Sequence, residues 1–182
     1  MNPQGSIDAI IVTSPGPYPP IEVERPNLSY ARLLMQDLSS PRGEMTAIYQ
    51  YLYQYWAIEQ RDLEFSATLY KIAAVEMHHL DVLGKLVTML GGDPRCQAVP
   101  GNRRTAWTGN DINYTRQIGP MLLHNIAGER FACNTYLSQA NAVQDGKLAA
   151  VLRKLAADEN VHIGIFQRFL SSYQTPGSKT RR

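Results

Sequence analysis

Apolar and polar positions recur with helical spacing along most of this chain. One stripe runs through Phe65, Leu69, Ile72, Glu76, His79, Leu83, Leu86 and Leu90, spaced by threes and fours. A second runs through Leu148, Leu152, Leu155, Glu159, His162, Phe166, Phe169 and Leu170. Residues at that spacing share one face of a helix. The pattern predicts long helices at about 41–59 and 62–90, from Gly119–Pro120 to about 143, and at about 146–172. A shorter amphipathic helix is predicted at 28–38. Ser40 and Pro41 read as an N-cap and a first helical position. Asp62 and Asp145 stand at two further starts, while Gly91–Gly92–Asp93–Pro94 and Thr175–Pro176–Gly177 read as stops.

The connections are uneven. Residues 93–113 are polar and carry Pro100, Gly101, Asn102 and Gly109, which predicts one long crossover between the second and third long helices. Residues 1–27 hold Pro15, Pro17, Pro19, Pro20 and Pro26, so they form an extended arm rather than a helix. Such an arm lies on a neighbouring subunit or is a mobile tail. Residues 173–182 end in Lys179, Arg181 and Arg182, a short basic tail. Strand patterns are confined to 9–12 and 21–23. The fold class is therefore all-α, a four-helix bundle over residues 28–172.

Six polar residues interrupt the apolar stripes. They form two copies of one unit, a lone Glu followed about thirty residues later by Glu-x-x-His: Glu44 with Glu76 and His79, and Glu129 with Glu159 and His162. Unpaired charge on an apolar helix face is costly, and metal coordination removes that cost. Two bundle helices giving a Glu each and two giving Glu-x-x-His supply the ligand set of a carboxylate-bridged dimetal centre. Four carboxylates carry −4 and match two divalent cations, and carboxylate with imidazole suits manganese and iron as well as zinc. Two such ions can exchange two electrons with one O–O bond, so peroxide or dioxygen is the expected substrate.

Tyr51 and Tyr136 each lie seven residues after a lone Glu, on its face; they orient ligands or simply pack. Cys133, four residues after Glu129, reads as core filler in preference to cavity lining. His78 and His124 are out of phase with the ligands. Tyr49, Tyr53, Trp56, Trp107 and the arm place large apolar groups off the metal-facing stripe, which predicts a homo-oligomer.

Composition narrows the class. The 182 residues carry a net charge of only +2, which gives no footprint for a nucleic acid. Two cysteines without metal-type spacing fit a reducing compartment. No apolar run approaches the roughly 18 residues of a membrane span. Residues 7–12 are too short for a signal peptide and are interrupted by Asp8. A cytoplasmic protein away from membranes is expected.

The segments around these residues are "GEMTAIYQYLYQYW" at Glu44, "VEMHHLDVLGKLVTML" at Glu76 and His79, "NIAGERFACNTY" at Glu129 and "ADENVHIGIFQRF" at Glu159 and His162. Together with "PNLSYARLLMQDLSSPRGE" before them, they resemble the ferritin-like dimetal-carboxylate superfamily over about residues 27–172, and within it the manganese catalases and their spore-coat relatives. The resemblance implies that two manganese or iron ions, without haem, disproportionate hydrogen peroxide. It implies Glu44, Glu76, His79, Glu129 and His162 as ligands, and Glu159 as a ligand or a nearby acid/base. Rubrerythrins and bacterioferritins share parts of the pattern, which keeps iron oxidation or storage as an alternative. A coat component that retains metal for stability is another, and with it a spore-coat location.

Overall fold

The structure, a computed structural model, describes residues 10–98 and 105–174. Its helices are α1 (Leu28–Ser39), α2 (Glu44–Ile58), α3 (Leu63–Met89), α4 (Ile118–Ala142) and α5 (Gly146–Gln174). This is the all-α, ferritin-like four-helix bundle that the periodicity predicts. Helices α2 and α3 form one hairpin and α4 and α5 the other, with α1 lying against α3. Among the described residues the only ladder is antiparallel, pairing Gln97–Ala98 (β1) with Thr105–Ala106 (β2) in the crossover. Residues 10–12 and 21–23 are extended without a sheet partner, so that part of the strand expectation fails.

Local chemistry sets the helix ends. Asp62 accepts from the Phe65 N–H at 2.9 Å and Asp145 from the Leu148 N–H at 2.9 Å, each satisfying an orphan donor at a helix start. Helix α3 closes with Gly91 at φ +86°, its N–H on Thr88 O, while the Gly92 N–H reaches back to Val87 O. The start of α2 departs from expectation. Ser40 ends α1 instead of opening α2: its N–H bonds Gln36 O, and a turn closed by Gly43 N–H to Ser40 O delays the helix to Glu44. A Cβ on Gly43 would sit 2.4 Å from Asp37 O, so only glycine fits that turn. Glu44 thereby occupies the first turn of α2, where the helix dipole favours a carboxylate.

Two apolar clusters fill the bundle. One joins Leu34, Leu83, Leu86, Leu90, Leu148, Leu152 and Leu155; the other joins Ile58, Phe65, Leu69, Ile72, Met121, Leu122 and Phe166. Each such side chain contributes about 1.5–3 kcal/mol on burial. The predicted stripes are the inner faces, except that Phe169 and Leu170 are only half-buried. The crossover runs beside α2, where the Trp107 Nε1–H donates to Thr46 Oγ1 at 2.9 Å and Tyr53 OH donates to Tyr114 O at 3.2 Å.

Residues 10–27 of the arm hold no helix or ladder, and their contacts are with the chain's own bundle. Ile10 and Val12 pack on one apolar cluster, and Tyr18, Ile21 and Val23 on the other. It follows α5 towards that helix's start, where the Glu24 N–H bonds Asp145 Oδ2 at 2.9 Å and Lys147 pairs with Glu22 at 2.6 Å. Among the described residues no helix is long and apolar enough to cross a membrane. The stop at 175–177, the basic tail and the Pro100–Gly101–Asn102 stretch lie outside the described residues.

Candidate metal centre

The six predicted ligands meet in one polar layer between the two apolar clusters. Glu44, Glu76, His79, Glu129, Glu159 and His162 are each at most 4% exposed. Helix α2 supplies Glu44, α4 supplies Glu129, and the i, i+3 spacing on α3 and α5 turns each Glu and His the same way. Two overlapping groups result. Glu44, His79, Glu76 and Glu159 form one, and Glu129, His162, Glu76 and Glu159 the other; within each, one donor atom per residue lies within 4.8 Å of all the rest. Glu76 and Glu159 belong to both groups, so they are placed to bridge.

Both imidazoles turn Nδ1 inward. His79 Nδ1 lies 2.8 Å from Glu76 Oε2, 3.1 Å from Glu159 Oε1 and 3.8 Å from Glu44 Oε1. His162 Nδ1 lies 3.0 Å from Glu76 Oε1, 3.1 Å from Glu159 Oε2 and 3.6 Å from Glu129 Oε2. Of these approaches, His162 Nδ1 to Glu159 Oε2 is a hydrogen bond. Both Glu76 oxygens, Glu159 Oε1 and His79 Nδ1 are buried and make no hydrogen bond of acceptable geometry. Four orphaned donor-type atoms converging in a dry layer are what a pair of hard cations would satisfy, so the residues fit a dimetal group.

The tyrosines cross over. Tyr51 of α2 donates its hydroxyl to Glu129 Oε1 of α4, and Tyr136 of α4 donates to Glu44 Oε1 of α2. Each therefore steadies the lone Glu of the opposite hairpin. Burial, then the adjacent glutamates, raises both phenols well above their ordinary range, so they act as fixed donors.

Charge in the layer is mutually dependent. Burial raises Glu44 and Glu129, and their neighbour Glu76 raises them further. Burial opposes charge on both imidazoles, yet Glu159 and Glu76 around His79, and Glu76 and Glu129 around His162, raise them well above the ordinary value. Burial also opposes charge on Glu76 and Glu159, but the two histidines hold both carboxyls below the usual range.

The layer has two sides. On one, a cavity of about 630 Å³ reaches the four glutamates and both tyrosines, with Asp37, Arg42, His124 and Phe131 farther out. Neither His79 nor His162 lines it. On the other side the histidines turn Nε2 towards the arm and α5. His162 Nε2 lies 2.9 Å from Val12 O, and His79 Nε2 lies 3.5 Å from Asp158 Oδ2.

A model of the manganese-containing catalase family matches residues 18–113, more than half of the chain. The chain belongs to that family. A rubrerythrin model matches residues 121–181 of this catalase-family chain. A probable manganese catalase of Clostridium acetobutylicum is 25% identical over 176 residues, covering 87% of this chain and 77% of that protein. The crystal structure of KatB, a manganese catalase from Anabaena, superposes with a TM-score of 0.78 at 23% identity, covering 95% of this chain and 86% of that one. The bacterioferritin of Rhodobacter capsulatus superposes at 0.70 and 21% identity, over 85% of this chain and 92% of that chain. These likenesses to solved structures establish the ferritin-like fold.

Within this manganese-catalase fold the other singled-out residues sit apart. Cys133 is half-buried, with its Sγ 3.4 Å from Ala156 O and no place on the cavity wall. His78 is exposed and meets Tyr18 edge-on at 4.6 Å, while His124 borders the outer cavity. Met77 is exposed. Sequence reasoning missed two polar groups. Gln50, Gln54 and Asn125 form a buried amide cluster beside the layer, with bonds of 2.7–3.2 Å. Asp158 gathers Ser14 and Tyr18 from the arm. Both had a signal. Gln50 and Gln54 are one turn apart, Asn125 is one turn before Glu129, and Asp158 sits in phase with Leu155 and His162.

Proposed function

We propose that the chain holds two manganese ions and disproportionates hydrogen peroxide to dioxygen and water. Family membership supports the reaction, and the convergence of four carboxylates and two imidazoles on one dry layer carries it at the level of residues. Glu44 and His79 would hold one ion, Glu129 and His162 the other, with Glu76 and Glu159 between them. The pair supplies two-electron exchange with one O–O bond. The protein supplies the rest. The cavity brings a small polar substrate to the carboxylate face, and the apolar clusters exclude bulk water. Tyr51 and Tyr136 fix one oxygen each of Glu129 and Glu44. Glu159 was left by the sequence as a ligand or an acid/base; its two oxygens face the two imidazoles as those of Glu76 do, which supports the ligand role.

Protein loaded with manganese should evolve one dioxygen per two peroxides without added reductant, read by an oxygen electrode, and Glu76→Ala should abolish it. Full activity in that variant, or peroxide loss only with an added reductant, would sink the catalase reading; the second outcome favours an iron-loaded peroxidase or oxidase. Glu159→Gln should lower metal occupancy. A slow variant with full occupancy would make Glu159 the acid/base instead.

We also propose a homo-oligomer and a reducing compartment. Tyr53 and Trp107 are engaged within the chain, but Tyr49 and Trp56 stay 43% and 55% exposed, edge-to-face at 6.2 Å on the outer side of α2. Both cysteines are free, which suits the cytoplasm; a spore coat is the alternative by family resemblance.

A further inference from the structure

The histidine side of the layer is closed by the arm, and the contacts there are specific. Asp158 Oδ1 accepts the Ser14 N–H and the Ser14 hydroxyl, each at 2.6 Å, and Asp158 Oδ2 accepts the Tyr18 hydroxyl. Lys154 Nζ donates to Ser14 O at 2.9 Å and to Asp158 Oδ1 at 3.2 Å, and lies 4.9 Å above the Tyr18 ring. Asp158 is fully buried. This one carboxylate therefore receives four donors from the arm and α5, besides the Nε2 of His79. A second contact from the same segment, the Val12 carbonyl, faces the Nε2 of His162. A carboxylate or carbonyl at Nε2 keeps the proton there and leaves the Nδ1 lone pair for the layer.

We propose that the arm from Val12 to Tyr18 is the outer wall of the metal centre, with Ser14 and Tyr18 as positioning residues that fix Asp158 and, through it, His79. Val12 does the same for His162 with its backbone. The proposal rests on the dimetal reading above and deepens it. Because the arm docks onto groups that orient the ligands, arm docking and metal binding are coupled, and the coupling is reciprocal.

The test uses the full-length chain with cobalt(II) as probe, in competition with a chelator of known affinity. Wild type should bind two cobalt ions. In Ser14→Ala/Tyr18→Phe the ion held by His79 should weaken by about 10- to 100-fold, the range for outer-sphere changes, while the ion held by His162 changes far less. Glu22→Gln, farther along the arm, should match wild type. Cobalt should also slow hydrogen exchange at the Ser14 amide in wild type. If the double variant does not fold, Tyr18→Phe alone carries the same expectation. Equal weakening of both ions would indicate general loosening and overturn the proposal, as would unchanged binding of both or a Ser14 amide indifferent to cobalt. A wild type that binds no cobalt would remove the dimetal reading and this proposal together; normal binding with an unaffected variant removes this proposal alone.

Discussion

Metal loading should be a proton-release reaction with a steep pH dependence. The perturbation is addition of a divalent cation to metal-free protein at pH 7. Without metal, four carboxylates lie in a layer with almost no solvent. The surrounding glutamates hold both His79 and His162 well above the ordinary imidazole range, which favours the doubly protonated ring. Burial also pushes Glu44 and Glu129 towards their protonated forms. Four protons on these six groups would bring the layer to neutrality, and two divalent cations replace that charge. Metal-binding nitrogen must be unprotonated, so the two imidazoles release at least two protons per chain and the glutamates add up to two more. Each proton displaced makes binding about 1.4 kcal/mol weaker per pH unit of acidification. Two to four protons then give about 3–6 kcal/mol per pH unit for the pair of ions. Calorimetry in buffers of different ionisation heat counts the protons, and the affinity at pH 6, 7 and 8 checks the slope. Release of fewer than one proton per chain at pH 7, or affinity flat across that range, would refute this account of the layer.

Asp37 supplies a pH test away from the ligands. Burial raises its carboxyl to about 7, against a hydrogen bond from Gln139 at 2.9 Å that works the other way, and its Oδ2 is cut off from solvent without a partner. A raised carboxyl is compatible with the fold while protonated, so its cost is absent below the unfolded value near 4, grows as pH rises to 7 and is constant above. Asp37→Asn should therefore stabilise the protein more at pH 8 than at pH 5, by up to about 3 kcal/mol; equal effects in chemical denaturation at both pH values would count against it. Tyr136→Phe and Tyr51→Phe should each weaken metal binding about 10- to 100-fold, since each removes the donor on a lone Glu, and chelator competition would reveal unchanged affinity if that is wrong. Asn125→Ala strands buried amide groups of Gln50 and Gln54 and should cost about 3 kcal/mol, lowering the melting temperature by about 6–12 °C; a shift under 2 °C in calorimetry would mean that water replaces the lost bonds.

Much of this was legible before any coordinates. The convergence of these side chains was readable because Glu76, His79, Glu159 and His162 interrupt apolar stripes at helical spacing, and a charged residue on such a face needs a compensating partner. The crosswise tyrosines were half legible: phase put them beside a lone Glu, but only tertiary structure shows that each serves the other hairpin. The late start of α2 was misread because Ser-Pro is a sound N-terminal signal, and here a backbone turn around Gly43 prevailed over it. The arm's contacts were not readable. Ser14 and Asp158 are 144 positions apart, and an extended segment without periodic burial announces no partner.

The converging side chains are divided evenly between the two hairpins. Each gives a lone Glu, a His, one shared carboxylate and one tyrosine that reaches across. A chain of half this length, pairing with its own copy about a two-fold axis, would assemble the same set of side chains without any crossover. The layer is then the seam of an internal repeat, consistent with an origin by duplication and fusion of a symmetric ancestor. Neither hairpin alone contains all the side chains of either four-residue group, so each group comes together only when the two halves dock.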